Sequence, residues 1–223
     1  MPGKDWRTTS LVTIVLFAFI YNPQLFGQTK LTWFLPINVP DRQSWEQIQL
    51  TNIGAYGLMR KARPNIPAHY HTGIDFKRPG NNYIDEPIYP IATGKVISQR
   101  DDGPYAQIII EHSLDDSTFL WSVYEHVAGI ATELGQTVDP KIPIARFMTK
   151  AELDKHGWQF DHVHLEIMKV KPKSRKPDKA RPDLYFGTYA LVCYKKADLD
   201  KHYHHPQEFL VQQWGTEQEN IIE

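Results

Sequence analysis

Two clusters of polar residues, about ninety positions apart, carry side-chain types that bind metal ions. The first is His71-Thr72-Gly73-Ile74-Asp75 and the second is His162-Val163-His164. Neutral imidazoles and a carboxylate are the groups that hold a catalytic zinc ion through three protein ligands and leave a fourth position for water. The residue types therefore predict a zinc site that activates water, but they do not decide which of these side chains are ligands.

The second cluster lies in a stretch, 161–167, in which polar and apolar residues alternate. This alternation predicts a strand, and strand side chains at positions i and i+2 share a face. His162 and His164 should then point into the same space. In the first cluster the spacing of four suits a helix face or a strand face, but Gly73 and the β-branched Thr72 and Ile74 disfavour a helix. The pattern is therefore not the helical His-Glu-x-x-His arrangement of many zinc proteases.

A competing ligand stands beside the first cluster. His69-Tyr70-His71 is itself a His-x-His sequence, so residue chemistry alone leaves His69 open as a ligand.

Four short motifs follow one another in order between roughly residues 47 and 170. They are Tyr56-Gly57-Leu58-Met59-Arg60, His71-x-Gly73-x-Asp75-Phe76, Tyr124-Glu125-His126 and His162-Val163-His164-Leu165-Glu166-Ile167. This series resembles the M23 (LytM/lysostaphin-type) zinc metallopeptidases, which cut peptide bonds in bacterial peptidoglycan.

The resemblance implies a role for each of five residues. It selects His71, Asp75 and His164 as zinc ligands and matches His126 and His162 to two histidines that are not ligands. Water attacking an amide needs a proton acceptor and a group that stabilises the oxyanion, and two histidines near the metal can share these tasks. For His126 the alternative is a packing residue at the end of a strand.

Other polar residues have weaker claims to the site. Glu166 is either an acceptor that orients a ligand imidazole or a carboxylate facing solvent. Arg60 and several tyrosines are candidates for the wall of a substrate groove. His112 is expected to be structural, and the run His202–His205 is expected to bind metal only adventitiously at the surface.

One segment departs from the pattern of the family that the chain resembles. Members usually carry a turn rich in Gly, Ser and Thr before the His-x-His strand, and Trp158-Gln159-Phe160-Asp161 stands there instead. Asp139-Pro140-Lys141 also interrupts the segment that usually leads to this turn. Both changes concern the groove wall and the preferred cross-link, and neither touches the proposed ligands.

The N-terminus predicts export. Lys4 and Arg7 precede an apolar run, 11–21, and Leu25-Phe26-Gly27 is a tolerable cleavage site, so residues 1–27 are expected to be a signal peptide. The run is short for a membrane span of about 20 apolar residues, although an uncleaved anchor is the alternative. The protein should then lie outside the cytoplasmic membrane, in the periplasm or secreted.

The remaining chain divides into an extended lead-in (28–46), a peptidase-like domain (47–170) and a basic, proline-bearing loop with a C-terminal extension (171–223). Closely spaced β-rich runs without long helical patterns predict an all-β, mainly antiparallel, sandwich-like domain with an open groove. The runs are 88–92, 95–98, 106–111, 119–124, 142–147 and 162–170. A short helix is predicted at 149–156, where Thr149 and Glu152 form a capping box and Gly157 can end the helix. A second helix should begin near Pro206 and end before Gly215.

Charge and cysteine content exclude some classes of function. Removal of residues 1–27 moves the formal net charge from −1 to −2, so nothing indicates a nucleic-acid partner. The single cysteine, Cys193, excludes an internal disulfide. Taken with the resemblance, the sequence predicts a monomeric, exported Zn²⁺ endopeptidase acting on peptidoglycan peptides. The alternative is a non-catalytic relative that binds the cell wall or activates another hydrolase.

Overall fold

The computed structural model describes residues 31–115 and 117–219 of the chain, so the proposed signal peptide lies outside the described residues. The strands are β1 Met59–Arg60, β2 His69–Tyr70, β3 Ile74–Lys77, β4 Pro87–Ile88, β5 Gly94–Arg100, β6 Gln107–Ser113, β7 Phe119–Glu125, β8 Thr137–Val138, β9 Ala145–Arg146, β10 His162–Met168, β11 Lys173–Ser174, β12 Phe186–Gly187 and β13 Tyr203–His204. The α-helices are α1 Lys150–His156, α2 Lys196–His202 and α3 Pro206–Glu219, and 3-10 turns cover Gly103–Tyr105, Trp158–Phe160 and Ala190–Val192. Within the described ranges, no helix is both long enough and apolar enough to cross a membrane.

The main sheet places its strands in the order β13-β10-β7-β6-β5-β8, and β3 pairs with β10 beside β13. All of the strand pairs are antiparallel. The predicted all-β, mainly antiparallel class is therefore confirmed. Strand β10 lies between β7 on one side and β3 on the other, which places the two polar clusters of the sequence on adjacent strands.

Both faces of the sheet are covered, and the continuous apolar run of β6 shows why. Ile108 and Ile110 point into one buried cluster, and Ile109 points into a second cluster on the opposite face. A strand buried on both faces has no need of alternation with polar residues. The central strands are therefore held rigidly, which fixes the positions of the side chains at their ends.

The segments at the two ends of the described chain cover the buried apolar cluster that contains Ile108 and Ile110. Trp33 of the lead-in is buried, and the ring of Phe209 from α3 meets it edge-on at 4.9 Å. Trp214 Nε1 donates a hydrogen bond to the Trp33 carbonyl oxygen at 2.9 Å. The lead-in and the C-terminal helix thus pack on each other as well as on the sheet.

The predicted helix at 149–156 is confirmed as α1, with its capping box. The Thr149 side chain accepts from Glu152 N, the Glu152 side chain accepts from Thr149 N, and Gly157 follows the helix with a φ of 114°. These local interactions need no distant partner, which is why the sequence was sufficient to predict them.

Other predicted elements differ in length. The β-rich runs at 88–92 and 142–147 form only the short strands β4 and β9, because Pro90 and Pro143 have no N–H to donate to a ladder. Helix α3 continues through Gly215 to Glu219, so its predicted end is wrong. A glycine inside a helix costs only about 1 kcal/mol, which the burial of Leu210 and Trp214 offsets.

Helix α2 was not predicted. Its residues carry a weak apolar pattern in which Leu199 is buried, and the Asp198 side chain accepts from the Lys195 backbone N–H at 3.2 Å. Packing of Leu199 with Tyr203 and Cys193 in the second cluster supplies the stability that local propensity lacks.

Candidate metal centre

The register of β3 against β10 brings the two polar clusters together. Asp75 lies opposite His164 across this pair, and His71 lies in the short loop that precedes β3. Gly73 in that loop is required by close approach, because a Cβ there would collide with the Leu165 carbonyl oxygen and lie 2.8 Å from the His164 ring. The loop therefore passes tightly over β10, which draws His71 against His164.

Three donor atoms converge on one point. His71 Nε2 lies 3.0 Å from His164 Nδ1 and 3.0 Å from Asp75 Oδ1, and His164 Nδ1 lies 2.8 Å from Asp75 Oδ1. A tetrahedral shell with zinc–ligand bonds near 2.05 Å has edges of about 3.3 Å. The spacing of the donors is therefore close to that of a zinc site. Within the described residues, this trio is the group of His, Cys, Asp and Glu side chains that could hold a metal ion.

The far sides of the two imidazoles are bound by acceptors. His71 Nδ1 is 2.9 Å from the Ala55 carbonyl oxygen, and His164 Nε2 is 3.3 Å from Glu166 Oε1. An N–H on each of these outer nitrogens leaves His71 Nε2 and His164 Nδ1 with lone pairs that face the common point. Glu166 is fully buried and also accepts from Thr72 Oγ1 at 2.5 Å. Of the two alternatives for Glu166, the structure supports the orienting acceptor.

Asp75 is also held from behind. Its Oδ2 accepts from Arg60 Nη2 at 2.8 Å and from Thr51 Oγ1 at 3.5 Å. These contacts leave Oδ1 as the oxygen that faces the two imidazole nitrogens. Two nitrogens and one carboxylate oxygen, each oriented from behind, form a donor set that fits zinc.

The pKa shifts of Asp75, His164 and His71 show which charges this centre favours. Burial alone would raise the pKa of Asp75, but hydrogen bonds from His164 and His71 outweigh it and lower that pKa far below its usual range. Burial would lower the pKa of His164, but hydrogen bonds to Asp75 and Glu166 raise it to about 10, so without a metal ion a proton takes the Nδ1 lone pair that a cation would bind. For His71, burial dominates and lowers the pKa. The centre thus attracts positive charge, which suits a cation.

His126 and His162 lie at the rim of this group. Their ring centroids are 4.8 Å apart, and His162 Nε2 is 3.7 Å from Asp75 Oδ1. His126 directly follows β7 and has a φ of 63°, an uncommon conformation for a residue other than glycine. Its Nδ1 is bound to the Pro104 carbonyl oxygen at 2.5 Å, which leaves Nε2 as the acceptor.

Both rim histidines are kept neutral by burial. Desolvation lowers the pKa of His126, and it lowers the pKa of His162 to about 3 although the nearby Asp75 charge opposes this. Neutral imidazoles can accept a proton or donate a hydrogen bond near neutral pH. The five residues selected from the sequence therefore lie together.

The structure sets the other histidines apart. His69 Nδ1 is bound to the Pro67 carbonyl oxygen at 2.8 Å, and His69 is not a member of the converging trio. His112 is fully buried between the Thr93 carbonyl oxygen and Ser122 Oγ, so its structural role is confirmed. In the run 202–205, the three histidine rings pack on three different aromatic neighbours.

Sequence reasoning missed some contributors. Arg60 was considered only for a groove wall, whereas its guanidinium fixes Asp75. The Ala55 carbonyl oxygen that orients His71 has no side-chain signature and could not be found in a sequence. Arg60 does lie in the first of the four motifs, and its position there is the signal that could have found it.

A family match in sequence covers the residues of this centre. Residues 69–178 match the model of peptidase family M23. No curated protein matches the chain in sequence.

Three of the similar solved structures share little sequence with the chain. A structure of the SpoIIIAH and SpoIIQ complex shares 16% identity over 60% of this chain and 90% of that chain, with a TM-score of 0.40. The catalytic domain of the prophage-encoded M23 protein EnpA from Enterococcus faecalis shares 21% identity over 70% and 94%, with a TM-score of 0.39. The solution structure of lysostaphin shares 16% identity over 74% of this chain and 51% of that chain, with a TM-score of 0.43.

The matched segment contains the converging trio and both rim histidines. By its sequence, this segment is a domain of peptidase family M23.

Proposed function

We propose that this protein is an exported zinc metalloendopeptidase that hydrolyses peptide cross-links of bacterial peptidoglycan. The observation that carries the proposal is the convergence of His71 Nε2, Asp75 Oδ1 and His164 Nδ1 beside two further imidazoles. Three protein donors, rather than four, are typical of catalytic zinc sites, whereas structural sites are closed by a fourth protein ligand.

The three donors would hold the zinc ion, and the groups behind them would keep their lone pairs aimed at it. When bound, zinc supplies Lewis-acid polarisation of the substrate carbonyl and of water. Arg60, Glu166 and the Ala55 carbonyl oxygen orient the donors. Such supporting contacts keep the geometry fixed while the substrate changes shape.

The rim histidines carry the proton chemistry. His126 Nδ1 is bound to the Pro104 carbonyl oxygen, so Nε2 carries the lone pair that can accept a proton from the attacking water. His162 presents its ring to the same space and can donate a hydrogen bond to the oxygen on which negative charge develops. Burial keeps both rings neutral before the reaction, as these roles require.

The location and substrate rest on the sequence and the family. Lys4, Arg7 and the apolar run at 11–21 support export, and family M23 supports a cell-wall peptide as substrate. The net charge near zero supports neither a nucleic-acid partner nor a phosphate-rich one. We propose that the protein acts as a monomer.

The test is mass spectrometry of peptidoglycan fragments after incubation with the purified protein, with and without a chelator. New peptide termini that form only in the absence of chelator would support the proposal. A protein that binds zinc and peptidoglycan but releases no fragments would instead support the non-catalytic, wall-binding alternative.

A further inference from the structure

Two aromatic rings extend from the rim histidines away from the metal centre. The Phe160 ring lies 5.0 Å from the His126 ring, and the Tyr105 ring lies 5.7 Å from Phe160 and 6.2 Å from His126. Tyr105 and Phe160 come from two different 3-10 turns, 103–105 and 158–160. We call this pair the aromatic shelf.

The Phe160 half of the shelf is anchored in the fold. The inner side of Phe160 packs on a small buried cluster that contains Met148 and Leu153. The next residue, Asp161, accepts from Arg78 Nε at 2.9 Å and from Arg78 Nη2 at 2.7 Å. Because Arg78 is buried, the turn that carries Phe160 is fixed to the core.

The Tyr105 half is anchored to the proposed catalytic machinery itself. His126 Nδ1 is bound to the carbonyl oxygen of Pro104, the residue before Tyr105. The shelf and His126 therefore keep a constant relative position. Rings held in this way lose little conformational entropy when a ligand packs on them.

The shelf is nevertheless open to solvent. Tyr105 is 51% exposed, and Phe160 is only partly buried. A fixed aromatic surface that remains in water beside reactive groups is typical of a recognition site rather than of a packing defect. Burial of its apolar area by a ligand would be favourable.

Polar groups around the shelf already have partners within the protein. Asp161 is paired with Arg78, the side chain of Gln107 donates to Glu125, and Trp158 Nε1 donates to Asp154 Oδ1 at 2.9 Å. A sugar ring or a charged side chain would find few unoccupied partners among these groups. An apolar side chain needs none.

We propose that the aromatic shelf is a binding subsite for an apolar side chain of the peptide substrate, next to the bond that is cut. An extended peptide rises about 3.3 Å per residue, so a ring in contact with His126 lies within one or two residues of the reacting carbonyl. This inference rests on the proposed peptidase function. It specifies a substrate with alanine or a larger apolar residue at that position, because glycine has no side chain to cover the rings.

The test uses four internally quenched peptides that differ only at one position next to the cleaved bond, which carries Gly, Ala, Leu or Phe. Mass spectrometry locates the bond. We expect kcat/KM to be roughly tenfold higher for the Leu and Phe peptides than for the Gly peptide. The ratio should fall toward one in Tyr105→Ala and in Phe160→Ala, and Tyr105→Phe should restore it.

Tyr194→Ala is the matched control, because Tyr194 is 45% exposed and its only described hydrogen bond is from the backbone to Val192. This variant should keep the wild-type ratio. Phe160→Ala removes packing as well as a ring, so Tyr105→Ala decides the question if Phe160→Ala does not fold. A wild-type preference for glycine, or an unchanged ratio in Tyr105→Ala, would overturn the proposal.

A second measurement separates this inference from the proposed function. Calorimetric titration of the chelator-treated protein with the same peptides should show roughly tenfold tighter binding of the Leu peptide than of the Gly peptide. Tighter binding of the Leu peptide without any cleavage would keep the subsite and reject the peptidase. Equal binding of both peptides, or binding only of an N-acetylglucosamine–N-acetylmuramic acid disaccharide, would reject the subsite.

Discussion

Two regions of this protein are rich in histidine, and only one of them forms a donor group. The strand-paired region consists of β3, β10 and the loop before β3, and there His71 Nε2 lies 3.0 Å from His164 Nδ1. In the C-terminal run, the His202 ring stacks on Tyr189 at 4.4 Å and the His204 ring lies 5.1 Å from Phe209. His205 completes the contrast, with its ring 4.7 Å from Tyr56.

The difference shows that pairing across strands, rather than proximity in sequence, builds the site. The C-terminal run crosses from the end of α2 through β13 to the start of α3, so successive side chains leave the backbone in different directions. The strand-paired region instead draws its donors from two chain segments that the register of β3 and β10 holds in place. Pairing between two strands fixes the direction of each side chain, whereas at a junction between a helix and a strand successive side chains point in different directions.

The largest expected effect is the loss of metal from the strand-paired region. His164→Ala should abolish stoichiometric zinc binding and with it peptide hydrolysis, because a catalytic site needs all three protein donors. Zinc per chain after dialysis, determined by inductively coupled plasma mass spectrometry, provides the measurement. The triple variant His202→Gln, His204→Gln and His205→Gln is the control and should keep about one zinc per chain. Full zinc occupancy in His164→Ala, or loss of zinc in the triple variant, would contradict the assignment of the zinc site to the strand-paired region.

The next prediction distinguishes residues that are needed for turnover from residues that bind the metal. His126→Ala and His162→Ala should each lower turnover by roughly 10²–10⁴-fold while zinc content stays near that of the wild type. The reason is that both rings lie beside the donor group without belonging to it. Zinc content and kcat are measured on the same samples. If His162→Ala empties the site, His162 is a ligand and the assignment of the two strand histidines is wrong.

A smaller effect tests the support behind a donor. Glu166→Gln should weaken zinc binding by roughly 10–100-fold, because a neutral amide holds the His164 N–H less strongly than a carboxylate does. Competition with a chromophoric chelator gives the affinity. Glu111→Gln is a suitable control, since Glu111 accepts a hydrogen bond from Trp121 Nε1 in the same sheet but does not contact the site. Equal affinities for both variants would show that Glu166 does not orient His164.

The smallest effect concerns a histidine outside both regions. His112 is bonded on both ring nitrogens by the protein, and burial lowers its pKa from 6.5 to about 4. The unfolded chain therefore takes up a proton at higher pH than the folded protein does, so stability is lost as the pH falls through this range. Between about pH 7 and pH 5.5, His112 should account for a loss of roughly 1 kcal/mol in the free energy of unfolding.

Urea unfolding of the wild type and of His112→Gln at these two pH values measures this contribution. The variant should be less stable at pH 7, because it loses fitted hydrogen bonds, but its stability should depend less on pH. The same change in stability with pH in both proteins would exclude His112 as the source.

Local patterns were enough for part of the fold. The alternation around His162 and His164 predicted β10, and Thr149 and Glu152 predicted the start of α1. Helix α2 and the continuation of α3 beyond Gly215 were not predictable, because burial of Leu199 and Trp214 against distant residues stabilises them. The short β4 and β9 reflect prolines whose effect on a ladder depends on which strand lies beside them.

The sequence by itself determined the chemistry that is present: the imidazoles, the carboxylate, and the shared strand face of His162 and His164. The tertiary structure decided which of these groups meet, because the β3–β10 register and the tight passage of Gly73 bring His71 to His164 and leave His69 aside. It also decided that Arg60 and the Ala55 carbonyl oxygen contact the donors from behind and that Tyr105 and Phe160 lie beside His126. The physical reason is that residue types and short-range periodicity are properties of local sequence, whereas contacts between remote segments depend on how the whole core packs.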